Sequence, residues 1–232
     1  MSVNAASHCT ACVRIHKYCV CKDLPVVESK LSILIFRHHK EAKRASNTAR
    51  IAALCLPNAQ VIDFPLEGPL LPFNPVEDLL IYPAGTQTNL DSEPLPALKR
   101  LIFLDGTWRQ TRKMYRKIPG LHTLPWTTLE PHQRPPPKIR KPPFQGGMST
   151  MEAIGRAIGQ FDAPYKEQKI YRGLTLWIDA VRQNTGITVK LTSGEDFTDV
   201  RRRSSQSAEE FVEQGKQKER SKSTNTIPKI SG

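Results

Sequence analysis

Long apolar runs are missing from this chain. Leu31–Phe36, among the longest, is already interrupted by Ser32, and it falls far short of the ~20 residues a membrane-spanning helix needs. No apolar signal-peptide core follows Met1, where the chain reads MSVNAASHCTAC; such a core would be 7–15 residues long. Together these absences predict a cytoplasmic protein with no membrane partner. Acids are also scarce. There are 22 Asp and Glu against 34 Lys and Arg, a formal net charge of +12, which favours polyanionic partners over cationic ones. Five cysteines in 232 residues are too few for a disulfide scaffold. No internal repeat is visible. Aromatic residues make up only 7%, yet the apolar fraction of 38% suffices for a packed core and excludes wholesale disorder. The length predicts one generous domain with attachments, or two small ones.

Four of the five cysteines crowd into thirteen positions: Cys9, Cys12, Cys19 and Cys21, a C-x2-C-x6-C-x-C pattern. Four thiolates this close can surround one ion tetrahedrally, with Zn–S distances of about 2.3 Å. A clip of this kind replaces a core that so short a segment cannot build. Structural zinc is therefore the expectation. Free thiols, a local disulfide pair and an iron–sulfur cluster are the competing readings, and His8 or His16 could substitute as a ligand. Cys55, alone inside IAALCLP, reads as buried core.

Beyond the cysteines, apolar segments alternate with helical ones. Leu31–Phe36, Val61–Phe64, Leu79–Tyr82 and Leu101–Leu104 predict strands, with a further short strand around His122–Leu124. Helices are expected over Ala42–Leu56, ended by Pro57, and over Thr107–Lys117. Ser149-Thr-Met-Glu152 fits a capping box opening a helix through Phe161. A last helix should run from Tyr165 to about Asn184, with Leu174, Trp177, Ile178 and Val181 on one face. The alternation implies an α/β domain with a largely parallel sheet. In such sheets ligands sit at the carboxyl ends of the strands. The loops Arg37-His38-His39, Pro83-Ala84-Gly85 and Asp105-Gly106-Thr107-Trp108 fall there.

The stretch from Asp105 to Lys117 is the most informative. Asp105 at a strand end could cap the next helix or act as a catalytic carboxylate. At 100° per residue, Arg109, Arg112, Lys113 and Arg116 share one helix face, an arrangement suited to phosphates; a charge run is usually a solvated face, but an acid-free face beside Trp108 favours nucleic acid. Trp108 could stack on a base or belong to the core. Thr107 could bond substrate or cap the helix. Residues 131–143, PHQRPPPKIRKPP, can be neither helix nor central strand. Arg134, Lys138, Arg140 and Lys141 in that loop have no acid near them in sequence, so they are candidate RNA contacts. From Thr192 the apolar periodicity disappears. The expected organisation is a zinc-binding knuckle over 1–25, an α/β catalytic domain over 26–192 and a disordered basic tail over 193–232.

In these motifs the chain resembles the DTW-domain family. The signature stands as Asp105-Gly106-Thr107-Trp108. The resemblance extends to the cysteine knuckle, to His38-His39-Lys40-Glu41 with Ser46-Asn47-Thr48, to Tyr82-Pro83 and to Ser149-Thr150-Met151-Glu152-Ala153, about residues 8–185 in all. It implies a SPOUT-like, mainly parallel sheet with a knotted cofactor loop. It also implies a tRNA-uridine aminocarboxypropyltransferase, which moves the 3-amino-3-carboxypropyl group of S-adenosylmethionine to N3 of a uridine in tRNA. Asp105, Thr107 and Trp108 would then be catalytic. Pro83, Ala84, Gly85, Leu104, Ser149 and Thr150 would bind the cofactor, and the zinc would be structural. Two alternatives stay open: a methyltransferase acting on RNA with the same cofactor, and a non-catalytic zinc and RNA-binding protein.

Overall fold

The computed structural model describes residues 8–44, 46–69, 72–82, 97–130, 136, 138 and 147–185. These lie within one compact unit, Met1–Thr188. Outside the described residues fall the expected basic tail, Pro83, Ala84 and Gly85, and most of the proline-rich loop. The chain path on which the expected knot depends falls there too.

Five strands form one sheet: β1 (Ser32–His38), β2 (Ala59–Phe64), β3 (Asp78–Ile81), β4 (Arg100–Asp105) and β5 (Trp126–Thr127). Their order is β2-β1-β4-β3-β5, and every pairing is parallel. The helices are α1 (His39–Ala42), α2 (Thr48–Cys55), α3 (Trp108–Lys117), α4 (Thr150–Phe161) and α5 (Pro164–Thr185). Side chains alternate between the faces of a strand, so the apolar run of β1 feeds two cores. Ile33 and Ile35 join Ile51, Ile154, Ile158 and Trp177 in one cluster. Leu34 and Phe36 join Met114, Ile118 and Leu124 in the other. Helices α2, α4 and α5 thus cover one face and α3 the other, which is why the central strands are apolar throughout. Leu174, Trp177, Ile178 and Val181 are all buried, as their spacing predicts, and so is Cys55.

Two expectations are corrected. The helix anticipated over Ala42–Leu56 is two helices, because the first ends at Lys43 and the second starts at Asn47, which caps α2. The strand expected around His122–Leu124 is a short 3-10 turn over Leu121–Thr123, entered through Gly120 at φ 76°. The edge strand follows it at Trp126–Thr127, paired with Leu80 and Ile81. No helix among the described residues is long and apolar enough to cross a membrane.

Candidate functional site

A wholly parallel sheet brings every strand's carboxyl end to one edge. In register there, Arg37 of β1 lies between Asp63 of β2 and Asp105 of β4. Asp105 is only 6% exposed, and both of its oxygens accept hydrogen bonds from distant parts of the chain. Asn47 Nδ2 donates to Oδ2 at 2.6 Å, and the Thr150 hydroxyl donates to Oδ1. The other end of the Asn47 amide, Oδ1, accepts from Arg50 N at 2.9 Å. One side chain therefore both starts α2 and holds the carboxylate. Arg37 is committed elsewhere, gripping Asp63 through Nε at 2.7 Å and Nη2 at 2.9 Å.

Asp105 does not cap α3. That position belongs to Thr107, whose backbone N–H donates to Gln110 Oε1 at 2.6 Å in a capping box. A Cβ at Gly106 would crowd this box, meeting Gln110 Cβ at 3.0 Å and Oε1 at 3.1 Å. With the cap supplied by its neighbour, the Asp105 carboxylate is left to the strand-end cluster.

Trp108 opens α3 and is 43% exposed, so it is not core. Its ring lies parallel to Tyr82, with centroids 6.1 Å apart, and Tyr82 stacks in turn on Tyr115 at 4.8 Å. Burial raises the Tyr82 phenol above its ordinary pKa, opposed by the nearby Arg112 and Arg116. On α3, Thr111 and Met114 face inward, leaving Arg109, Arg112, Lys113, Arg116 and Lys117 exposed. None of these five forms an ion pair among the described residues, and Arg112 rides 5.9 Å from the Trp108 ring centroid. An acid-free cationic ridge thus runs from an exposed indole at the strand-end edge. His38, at the end of β1, is 5% exposed. Burial pushes its pKa down, and His39, Lys113 and Lys40 add to that.

The helix that carries Thr150 begins as its spacing predicts. Ser149 and Glu152 satisfy one another's backbone N–H groups, at 3.3 Å and 3.2 Å. Glu152 is 1% exposed; burial raises its pKa, while Lys138 and the Ser149 amide oppose the rise. Lys138 turns its ammonium to this corner, 3.6 Å from Glu152 Oε1 and bonded to the Gly147 carbonyl. Leu104 is half-buried beside the Leu34 and Phe36 cluster. Arg134, Arg140 and Lys141, like Pro83 to Gly85, lie outside the described residues.

At the start of the chain, the sulfurs of Cys9, Cys12, Cys19 and Cys21 lie within 4.8 Å of one another. Cys9 to Cys21 and Cys12 to Cys19 are each 3.8 Å apart. Four sulfurs held tetrahedrally about 2.3 Å from a zinc ion would be about 3.8 Å from one another, so the cluster fits the metal. The turn closes through Cys9 N to Arg14 O at 2.6 Å, with Val13 at φ 55°. The Cys12 amide holds the Cys9 thiol down, to about 6, whereas burial pushes Cys12 and Cys21 up. His8 and His16 are not in the group.

The structure thus brings together Asp105 and Thr150, and separately the four cysteines. It adds Asn47, Arg37 and Asp63, which sequence reasoning did not assign. An Asn just before TARIAALC is an N-cap signal and could have flagged Asn47; nothing local flags the Arg37–Asp63 pair.

The fold defines a parallel α/β protein with a buried carboxylate cluster at the carboxyl end of its sheet and a four-cysteine cluster near its N-terminus. More narrowly, the DTW domain model matches residues 6–185, and the chain belongs to the DTW domain family. It is similar to tRNA-uridine aminocarboxypropyltransferase 2 of Drosophila melanogaster, 27% identical over 191 residues, which are 74% of this chain and 73% of that one. It is likewise similar to tRNA-uridine aminocarboxypropyltransferase 2 of Mus musculus, 30% identical over 166 residues, 65% of this chain and 55% of the other. No solved structure matches the chain.

Proposed function

We propose that this protein is a tRNA-uridine aminocarboxypropyltransferase. What carries the reading is the match of most of the chain to relatives bearing that name, together with a twice-bonded, buried carboxylate in the first position of the family's signature. S-adenosylmethionine supplies an electrophilic carbon beside its sulfonium, and methylthioadenosine leaves with the electrons of the broken C–S bond.

The chain's own residues then have three tasks. Asp105 accepts the N3 proton of the uracil. As the new N–C bond forms, N3 gains positive character and becomes far more acidic, so a carboxylate of ordinary basicity suffices. Asn47 and Thr150 each donate to one oxygen of the carboxylate, fixing the direction in which the proton is received. Trp108 offers an exposed face on which an unpaired base can stack, and N3 of uracil is accessible only when the base is unpaired. Arg109, Arg112, Lys113 and Arg116 hold the phosphates nearby. Arg134, Arg140 and Lys141 are further candidate phosphate contacts, and Lys138 meets Glu152 of α4 at 3.6 Å.

Thr107 sets the start of α3. Leu104, Ser149 and Thr150, together with Pro83, Ala84 and Gly85, form the cofactor side, where the first amides of α4 suit a carboxylate. The cysteine cluster over 1–25 holds structural zinc, residues 26–192 carry the chemistry, and the basic tail over 193–232 adds tRNA affinity. A cytoplasmic location is consistent with activity on tRNA.

Product analysis is the test. Unmodified tRNA incubated with protein and S-adenosylmethionine should yield 3-(3-amino-3-carboxypropyl)uridine and methylthioadenosine in equal amounts. S-adenosylhomocysteine with a methylated nucleoside would replace this reading with a methyltransferase. Tight tRNA binding without either product would leave a binding protein.

A further inference from the structure

Arg14 is an anomaly that the proposed chemistry does not use. It follows Cys12 by two residues and is 3% exposed, yet among the described residues it forms no ion pair with a carboxylate. Nη1 donates to the Ala180 carbonyl at 3.0 Å, Cζ lies 4.3 Å from the centroid of the Trp177 ring, and Nε has no partner. Ala180 and Trp177 both belong to α5, and both are buried. Arg14 also belongs to the turn that gathers the sulfurs, its carbonyl accepting from Cys9 N at 2.6 Å. A buried guanidinium without a counter-ion is costly, and one backbone carbonyl and one aromatic face offset only part of that cost.

The thiolate cluster presents the opposite deficit. Zinc contributes two positive charges and four thiolates contribute four negative ones, so the loaded centre carries a net charge of −2. Cys12 is fully buried in the same apolar cluster as Trp177, so this anion sits against core rather than water.

We propose that Arg14 is the counter-ion of the zinc–tetrathiolate centre and the link through which metal binding orders α5. The charge of the loaded site neutralises a guanidinium that α5 holds in place. Without metal the guanidinium stays buried but loses the dianionic centre that balances it. Arg14 is a positioning residue for the metal site, and it also ties the N-terminal knuckle to the helix packed against α2 and α4. The inference rests on zinc occupancy and is independent of the reaction proposed above.

Three full-length proteins test it: wild type, Arg14→Met and Arg14→Lys. Zinc content is measured first by elemental analysis, then zinc release to a chromogenic chelator, then thermal midpoints with zinc bound and after chelation. Groups around a metal's ligands typically contribute 10–100-fold to affinity, so Arg14→Met should release zinc about 10- to 100-fold more readily, and Arg14→Lys should stay closer to wild type. With zinc bound, Arg14→Met should melt below wild type; after chelation that gap should close or reverse, because only the wild type then buries a cation that has lost its dianionic partner. Arg14→Gln, which keeps a donor for Ala180, serves if Arg14→Met does not fold. Unchanged zinc release would overturn the proposal. So would an equal drop in midpoint with and without metal, which would make Arg14 a packing residue, or a wild-type protein that holds no zinc.

Discussion

The cysteine knuckle and the Asp105 site are built in opposite ways. The knuckle draws all four sulfurs from thirteen consecutive positions, and a tight turn between Cys9 and Arg14 brings them together. The strand-end site draws Asn47 from 58 residues before Asp105 and Thr150 from 45 after it. In the first, local chain geometry makes the chemistry. In the second, the sheet makes it: parallel strands align their ends, and two helix starts are aimed at one carboxylate. The knuckle should therefore fail locally and completely when one ligand is lost, whereas the strand-end site should degrade in steps as its supports are removed.

The largest effect should come at the knuckle. Cys19 is half-buried, so Cys19→Ser changes packing little, but it removes one of four ligands. About one zinc per wild-type chain should fall close to none by elemental analysis. Binding and local folding are one event in such clips, so protease sensitivity should rise around residues 8–24. Full zinc retention in this variant would mean that the four thiols do not act as a unit.

Asn47 separates support from catalysis at the other site. Serine also caps helices well, but its shorter side chain cannot span to Asp105. Asn47→Ser should keep its thermal midpoint within a few degrees of wild type and lose about 10- to 100-fold in turnover, the range that misplacement of a reacting group by about 1 Å can cost. Matched losses of stability and activity would reduce Asn47 to a helix cap.

A smaller effect is expected along α3. Each phosphate contact contributes about 0.9 to the slope of log affinity against log salt on duplex nucleic acid. Replacing Arg112 and Arg116 together by Ala should flatten the slope for tRNA by about 2 and leave zinc content untouched. An unchanged slope would remove α3 from the RNA surface.

The smallest effect lies away from both regions, at Asp162. Burial by itself would raise this carboxyl, but Lys166 Nζ at 2.7 Å and the Lys30 amide at 3.1 Å outweigh it and hold the pKa below the ordinary value. A depressed folded-state pKa contributes stability above the unfolded value of about 3.9, and loses it as pH falls through the folded value. Asp162→Asn should therefore cost about 1 kcal/mol near neutrality, and the difference from wild type should vanish in acid. A gap independent of pH would assign the loss to packing.

The same contrast explains what the sequence reveals. Cysteine spacing, the Ser149–Glu152 capping box and the apolar period of α5 are local features, and all three are legible. The alternating strands and helices announce the parallel sheet, because a run such as Leu31–Phe36 needs cover on both faces. The break between α1 and α2 is not legible: Lys43 and Arg44 suit a helix as well as a turn. Asn47 acts as a cap in a structure where its amide also meets Asp105, and that partner is remote in sequence. The edge strand at Trp126–Thr127 is two residues long and is defined by its pairing with β3 alone. Asp105 itself is visible as an acid ending an apolar strand, but its two donors become visible only in the fold.

We assign Asp105 as the reacting carboxylate of the strand-end site, and Asp105→Asn isolates that role. The substitution should be accommodated, because the Thr150 hydroxyl can accept a hydrogen bond from the new amide nitrogen while Asn47 still donates to the amide oxygen. The measurement is single-turnover formation of 3-(3-amino-3-carboxypropyl)uridine at saturating tRNA and S-adenosylmethionine, across pH, with cofactor affinity and thermal midpoint recorded on the same protein. A base contributing the usual factor predicts a 10²- to 10⁴-fold slower transfer near neutral pH, partial recovery at high pH where uridine ionises unaided, and unaltered folding and cofactor binding. Transfer at the wild-type rate by a folded Asp105→Asn protein would contradict the account.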